Sequence, residues 1–276
     1  MLRTISCLLL AAVVYAQGKF PEGTRVQRDT AYNQYPETRV DIYQPPGPMG
    51  NRPGVLVIHG GGWIQGERAG MVDSYVRRYV EKGFVVANIE YRLAKAAPAP
   101  AAVEDAIHAA NWFVENAKVY GVDPKRIVVT GGSAGGHLAL MVGMVNKAAR
   151  LGKPVKVRAV VNFYGITDVD DQLHAPNLRD YAVQWLPEQP GRLELARRVS
   201  PLTYVRRDVP AILTIHGDAD ETVPYAHGVR LTKALKDAGA AAEMISVPGG
   251  KHGFPAEKLD AIYPQIFAFL AKHGVL

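Results

Sequence analysis

The stretch Ile127-Val128-Val129-Thr130-Gly131-Gly132-Ser133-Ala134-Gly135-Gly136-His137 decides how the rest of the chain is read. Four consecutive strand-forming residues, three of them apolar, form a strand covered on both faces. The glycines after them demand a tight turn, and an apolar helical run follows from Gly136 to Ala149. The pattern is a strand, a sharp turn bearing one serine, and a helix. A side chain two residues before or after that serine would collide with its neighbours. In a chain with 27 glycines the five-residue match alone also fits a glycine-rich loop or a phosphate cradle at a helix N-terminus. The Lys-Ser/Thr ending of a phosphate loop is missing here, which counts against the cradle.

Moving outward, Val55–Ile58, Phe84–Ile89, Ala159–Phe163 and Ala211–Ile215 repeat the buried-strand signature, and a further strand is expected near Glu243–Val247. Thr38–Tyr43 alternates polar and apolar residues, as a half-buried antiparallel strand does. Val103, Ile107, Ala110 and Val114 make one helical stripe, and Val229–Ala238 and Ala261–Ala271 also read as helices. Asp123-Pro124 is expected to begin a capped turn. Buried strands alternating with helices predict an α/β protein with a doubly wound, mostly parallel sheet and helices on both faces. Functional groups in such sheets gather at the C-terminal ends of the strands.

Three more strand ends carry suitable chemistry. His59-Gly60-Gly61-Gly62-Trp63 follows Val55–Ile58, and its glycines leave N–H groups able to converge on one spot. His216-Gly217-Asp218-Ala219-Asp220 follows Ala211–Ile215 and offers two carboxylates, between which spacing does not choose. Val247-Pro248-Gly249-Gly250-Lys251-His252-Gly253-Phe254 places His252 in a glycine-flanked loop before the last helix. The order Ser133, Asp218 or Asp220, then His252 suits nucleophile, acid and base. His137, one turn after Ser133, is the rival base, but its side chain runs along the helix. His59 is read as a structural group bonded to its own loop.

These motifs, with Tyr91-Arg92-Leu93, Pro100–Asp105, Ser200-Pro201-Leu202 and Gly250–Phe254, resemble the HGGGW-type α/β-hydrolase esterases. The resemblance runs from about Asp41 to Phe254. It is nearest the hormone-sensitive-lipase-like group and the secreted bacterial feruloyl and acetyl-xylan esterases. It implies the α/β-hydrolase fold, a catalytic set of Ser133, Asp220 and His252, and oxyanion donors at Gly61, Gly62 and Ala134. It implies no metal and no organic cofactor. Glu104-Asp105 and Tyr91-Arg92 become polar ties between loops. Ala99 stands where these esterases often carry an aromatic residue of the pocket wall. Between residues 164 and 200 a cap-like insertion is expected, and Trp63, Tyr164 and Trp185 are candidates for stacking on a sugar or aromatic ring. Plain packing of these rings is the equal alternative. The implied substrate is a small or polysaccharide-linked ester. The competing functions are a prolyl-oligopeptidase-like peptidase, an arylformamidase and a hydrolase-like binding protein. The peptidases usually add a propeller that 276 residues do not accommodate.

Composition narrows the rest. With 48% hydrophobic and 21% charged residues the chain can bury a full core. The net charge of +6 is spread out. The densest basic run, Lys147 to Arg158, reads as a solvated helix end, so no nucleic-acid partner is expected. Arg3, the apolar stretch Ile5–Val14 and the small residue Ala16 have the layout of a signal peptide over residues 1–16, leaving a single domain over 17–276; the alternative is a buried N-terminal strand or helix. That segment is shorter than the about 20 apolar residues a membrane span needs. A secreted or periplasmic protein with no membrane attachment after cleavage is therefore expected, and the single Cys7 would leave with the leader. Mass spectrometry of the exported protein is expected to find Gln17 at the N-terminus. A secreted chain that still begins at Met1 would contradict this.

Overall fold

A computed structural model describes the backbone of residues 13–15 and all of residues 20–276. Nine strands form one sheet: β1 (Val13–Tyr15), β2 (Arg25–Ala31), β3 (Arg39–Gln44), β4 (Arg52–Ile58), β5 (Val85–Ile89), β6 (Val122–Gly132), β7 (Ala159–Phe163), β8 (Ala211–Gly217) and β9 (Ala242–Val247). Their order is β1-β2-β3-β5-β4-β6-β7-β8-β9. The six strands from β5 to β9 run parallel, while β1, β2 and β3 are antiparallel. With helices on both faces, this is the α/β-hydrolase fold.

The parallel strands are apolar on successive residues because both faces are covered. Side chains of α2 (Ala101–Glu115), α3 (Ala134–Met144) and α6 (Ala226–Asp237) share one core with residues such as Leu56, Val129 and Ile212. Side chains of α1 (Arg77–Glu81) and α7 (Ala256–Lys272) share a second core, on the opposite sheet face, with Val57, Val128 and Val161. Two short helices, α4 (Asp180–Trp185) and α5 (Arg192–Arg198), lie in the segment 164–200.

Sequence and structure differ where tertiary context overrides local pattern. β2, Arg-Val-Gln-Arg-Asp-Thr-Ala, is too polar to read as a strand, and pairing with β3 holds it in the sheet. Asp123-Pro124 starts no helix. Asp123 does cap a turn, accepting from Lys125 N at 2.9 Å, but both residues lie inside β6, which is longer than its apolar run. The helix expected to run to Ala149 ends at Met144, and a 3-10 turn covers Lys147–Ala149.

The sheet register brings the functional loops to one edge. Ile58 pairs with Gly131, Gly132 with Phe163, Phe163 with Ile215, and Gly217 with Val247. The loops after β4, β6, β8 and β9 therefore leave side by side. At the end of β6 the chain turns into α3 with Ser133 at φ 58° and ψ −123°. A non-glycine residue holds that backbone only when its surroundings enforce it. The enforcement is close packing: a Cβ on Gly135 would lie 2.1 Å from the Ile58 carbonyl oxygen and 2.7 Å from that of His59. Gly135→Ala is expected to push α3 off β4, destabilising the protein by about 1–3 kcal/mol. The melting midpoint should fall by several degrees, and an unchanged midpoint would show that this contact is not tight.

Candidate active site

Ser133 stands at the tip of the β6–α3 turn. Its backbone N–H donates to the Phe163 carbonyl at 3.0 Å, and its own carbonyl accepts from His137 N at 2.9 Å. Its hydroxyl lies 2.9 Å from His252 Nε2, although 119 positions separate the two residues. The other ring nitrogen, His252 Nδ1, lies 2.8 Å from Asp220 Oδ2. A carboxylate only accepts, so Nδ1 carries the proton and donates to Asp220. In the neutral ring Nε2 is then the acceptor, and it faces the Ser133 hydroxyl.

Asp220 is held from several sides. Its Oδ1 accepts from the backbone N–H of Thr222 at 2.8 Å and of Val223 at 3.0 Å. His216 Nε2 donates to the Val223 carbonyl at 3.0 Å and lies 3.3 Å from Asp220 Oδ2. Burial by itself would raise the Asp220 pKa. The hydrogen bonds from His216 and His252 and the Val223 N–H outweigh it and hold the carboxyl far below the usual carboxylate range. Asp218, the other acid of the motif, is exposed and accepts from Gly249 N at 2.7 Å, so it braces the loop that carries His252.

The glycine loop after β4 runs along the same site. Gly61 has φ 106°, a conformation open to glycine, and its carbonyl accepts from Ile64 and Gln65 N–H. Ala134 is the first residue of α3, and the first N–H groups of a helix have no partner inside it. His59 anchors this loop from beneath. Its Nδ1 donates to the Gly60 carbonyl at 2.7 Å, its Nε2 lies 3.1 Å from Glu90 Oε2, and Tyr91 stacks on its ring at 4.3 Å. Burial would raise Glu90, but the contacts with His59 and Arg68 outweigh this and lower it. Nothing local in the sequence pointed to Glu90. Arg92 and Asp105 form a two-toothed pair (2.8 and 2.7 Å), the polar tie expected there.

A cavity of about 550 Å³ opens over Ser133 and His252 and includes Gly61 and Gly62 in its lining. Tyr164 belongs to this lining. Trp63 and Trp185 do not. Both are fully buried, stacked on each other at 4.1 Å, and outside the cavity lining. Their bulk is used in the core, so the reading as stacking platforms is corrected to packing. Ala99 also lies away from the cavity, donating its N–H to the Trp185 carbonyl at 2.8 Å. The lining instead recruits Tyr75, from a π-helical turn (Val72–Val76), and Tyr181, from α4. Neither sits in a motif, so the sequence carries no signal for them. Among the described residues no group of three His, Cys, Asp or Glu side chains is arranged to hold a metal ion.

His137, the rival base, is occupied elsewhere. Trp63 Nε1 donates to its Nδ1 at 3.1 Å, and its Nε2 donates to the Val199 carbonyl at 2.6 Å. Burial lowers its pKa to about 4, against a smaller opposing effect of the Val199 bond. The ring therefore stays neutral and takes no part in the Ser133 contact.

The family model BD-FAE matches residues 40–235, more than half of the chain. The chain belongs to the BD-FAE family. It is 29% identical to Esterase LipQ of Mycobacterium tuberculosis over 79% of its own length and 54% of that protein's. The chain thus spans about half the length of this curated relative. A solved truncated form of a carbohydrate esterase from gut microbiota is 28% identical, with a TM-score of 0.79, covering 93% of this chain and 99% of the other. Thermogutta terrifontis esterase 2 phosphoramylated by tabun is 26% identical, with a TM-score of 0.76, covering 93% of this chain and 97% of the other.

The buried histidines set an acid limit on stability. His137 has a folded pKa of about 4 against 6.5 unfolded, and burial also lowers His227. Between pH 6.5 and 4 the unfolded chain binds protons that the folded one refuses, so stability falls as pH falls. The His137 contribution is about 3 kcal/mol across that window. The lowered carboxyls Glu90, Asp171 and Asp220 act in the same direction at lower pH still. Denaturant unfolding from pH 7 to 4.5 should show this slope, and His137→Gln should flatten it. An unchanged slope in the variant would refute the assignment.

Proposed function

We propose that this protein is a serine carboxylesterase, exported from the cell, that hydrolyses small or carbohydrate-linked acyl esters through an acyl-enzyme. The unbroken run of hydrogen bonds from Ser133 to His252 to Asp220, opening on one cavity, carries this reading. His252 takes the proton from Ser133 as the hydroxyl oxygen attacks the ester carbonyl. Asp220 keeps the imidazole in the right tautomer and steadies the imidazolium that forms. The N–H groups of Gly61, Gly62 and Ala134 receive the oxyanion. His252 then gives its proton to the departing alkoxide. A water, deprotonated by His252 in turn, cleaves the acyl-serine and releases the acid.

Several observations support the finer parts. The esterase relatives support ester hydrolysis, and the phosphoramylated Thermogutta esterase supports a nucleophile open to phosphorus reagents. The carbohydrate esterase supports a glycan-borne acyl group, with acetyl or feruloyl as the leading candidates. The cavity of about 550 Å³ supports a short or aromatic acyl chain. Export rests on the leader-like layout of residues 1–16, although Val13–Tyr15 of that stretch pair with β2 as β1. Cleavage after Ala16 would remove β1 and leave β2 outermost, and β2 carries Arg25, Gln27, Arg28 and Asp29. Charged edge strands resist pairing with other chains. Among the described residues no helix is long and apolar enough to cross a membrane.

A fluorophosphonate probe should label Ser133, and Ser133→Ala should lose both label and hydrolysis while keeping the wild-type melting midpoint. Asp220→Asn should reduce kcat by about 10⁴-fold. A panel of p-nitrophenyl acyl esters, methyl ferulate, acetylated xylan, peptides and N-formylkynurenine assigns the substrate. Wild-type turnover by Ser133→Ala would overturn the mechanism, and peptide or formamide turnover without ester turnover would overturn the substrate class.

A further inference from the structure

Two phenols stand beside the nucleophile, and the mechanism does not use them. Tyr75 comes from the π-helical turn before α1, and Tyr164 follows β7 directly. Their hydroxyl oxygens are 3.4 Å apart, and both side chains line the cavity that holds Ser133 and His252. A Cβ placed on Gly132, the residue before the nucleophile, would lie 2.7 Å from the Tyr75 hydroxyl and 2.9 Å from that of Tyr164. The pair therefore sits against the serine turn itself.

Both rings are fixed. Tyr75 meets Phe163 edge to face at 5.0 Å, and Tyr164 meets His252 at 4.7 Å and Phe254 at 5.3 Å. The Tyr164 backbone has φ 39°, with its N–H on the Ile215 carbonyl at 2.8 Å. Burial raises the pKa of both phenols, so each keeps its proton.

The proton count then matters. Each phenol has one O–H to donate. One hydrogen bond joins the pair and uses one proton. The second proton meets no protein acceptor among the described residues. Tyr164 is half-buried and both phenols face the cavity, so the spare O–H is presented at the cavity wall, where phenylalanine would fill the same volume without offering a donor. An acceptor brought by the substrate would satisfy it.

We propose that the Tyr75–Tyr164 hydroxyl pair is a donor subsite for an acceptor oxygen of the substrate, close to the scissile carbonyl. The proposal rests on the serine-esterase reading and narrows it. The preferred esters are oxygenated ones, with an ether, hydroxyl or ring oxygen near the ester on the acyl or the alcohol part, over all-carbon esters of equal size.

The test uses two pairs of matched shape. p-Nitrophenyl methoxyacetate against p-nitrophenyl butyrate probes the acyl part, and 2-methoxyethyl acetate against butyl acetate probes the alcohol part. Each kcat/KM ratio is divided by the ratio of the two esters' rates with hydroxide, which removes intrinsic reactivity. The wild-type protein should favour the oxygenated ester about five- to tenfold in at least one pair, the discrimination expected of one neutral hydrogen bond. The double variant Tyr75→Phe, Tyr164→Phe should bring that corrected ratio to about one. If the double variant does not fold, at least one single variant must lose the preference. A corrected wild-type ratio near one in both pairs, or a preference kept by the folded variants, overturns the subsite. Fluorophosphonate labelling of Ser133 is read alongside: loss of labelling in the wild type would sink the esterase reading, whereas intact labelling without discrimination sinks the subsite alone.

Discussion

Helix α3 begins where it does because the backbone of Gly135 fits against the carbonyl oxygens of Ile58 and His59. That contact fixes three things together. It holds the end of β4 against the start of α3, it forces the turn that gives Ser133 its left-handed φ, and it sets the glycine loop after Ile58 beside the serine. A helix even slightly further from the strand would relax the turn and separate the serine from the N–H groups of that loop. The strained residue is stable because both of its flanks are clamped: the sheet register holds β6, and core packing holds α3.

The remaining groups reach Ser133 through the parallel sheet. Parallel strands end on one edge, so loops more than a hundred positions apart in the chain leave it together. His252 and Asp220 come from the loops after β9 and β8, which are neighbours in the sheet. The Asp218–Gly249 hydrogen bond ties those two loops to each other. The two aspartates of one motif thus divide the labour. The exposed one braces the loop, and the buried one, bonded by two backbone N–H groups and approached by two imidazoles, meets His252.

The aromatic residues of the segment 164–200 show how a polar site is built on an apolar footing. Trp185 of α4 stacks on Trp63, and Trp63 bonds to His137 in α3. The segment 164–200 is thereby pinned to the core at Trp185 while Tyr164 and Tyr181 face the cavity. Trp63 directly follows Gly62, so its burial also fixes the end of the glycine loop. A tryptophan beside a glycine triplet and another in a helix of the segment 164–200 look alike on paper whether they meet a ligand or each other. Their mutual stacking depends on the path of residues 164–200, which no periodicity encodes.

The sequence by itself determined the parallel sheet, because strands buried on both faces need consecutive apolar residues and leave that mark at five places. It also determined the serine turn and the glycine loop, because only glycine tolerates those close approaches. It narrowed the acid to two residues of one motif, and the resemblance of several ordered blocks chose between them. Tertiary structure alone decided the rest. It showed which aspartate is buried against an imidazole, that His137 spends both its nitrogens on Trp63 and Val199, and that Tyr75 and Tyr181 enter the cavity while Trp63 and Trp185 leave it. The physical reason is common to all four. Backbone geometry and strand burial are local constraints that restrict residue type at each position. Which side chains share a cavity is set by the packing of elements distant in the chain, and a tyrosine or histidine can satisfy that packing from many positions.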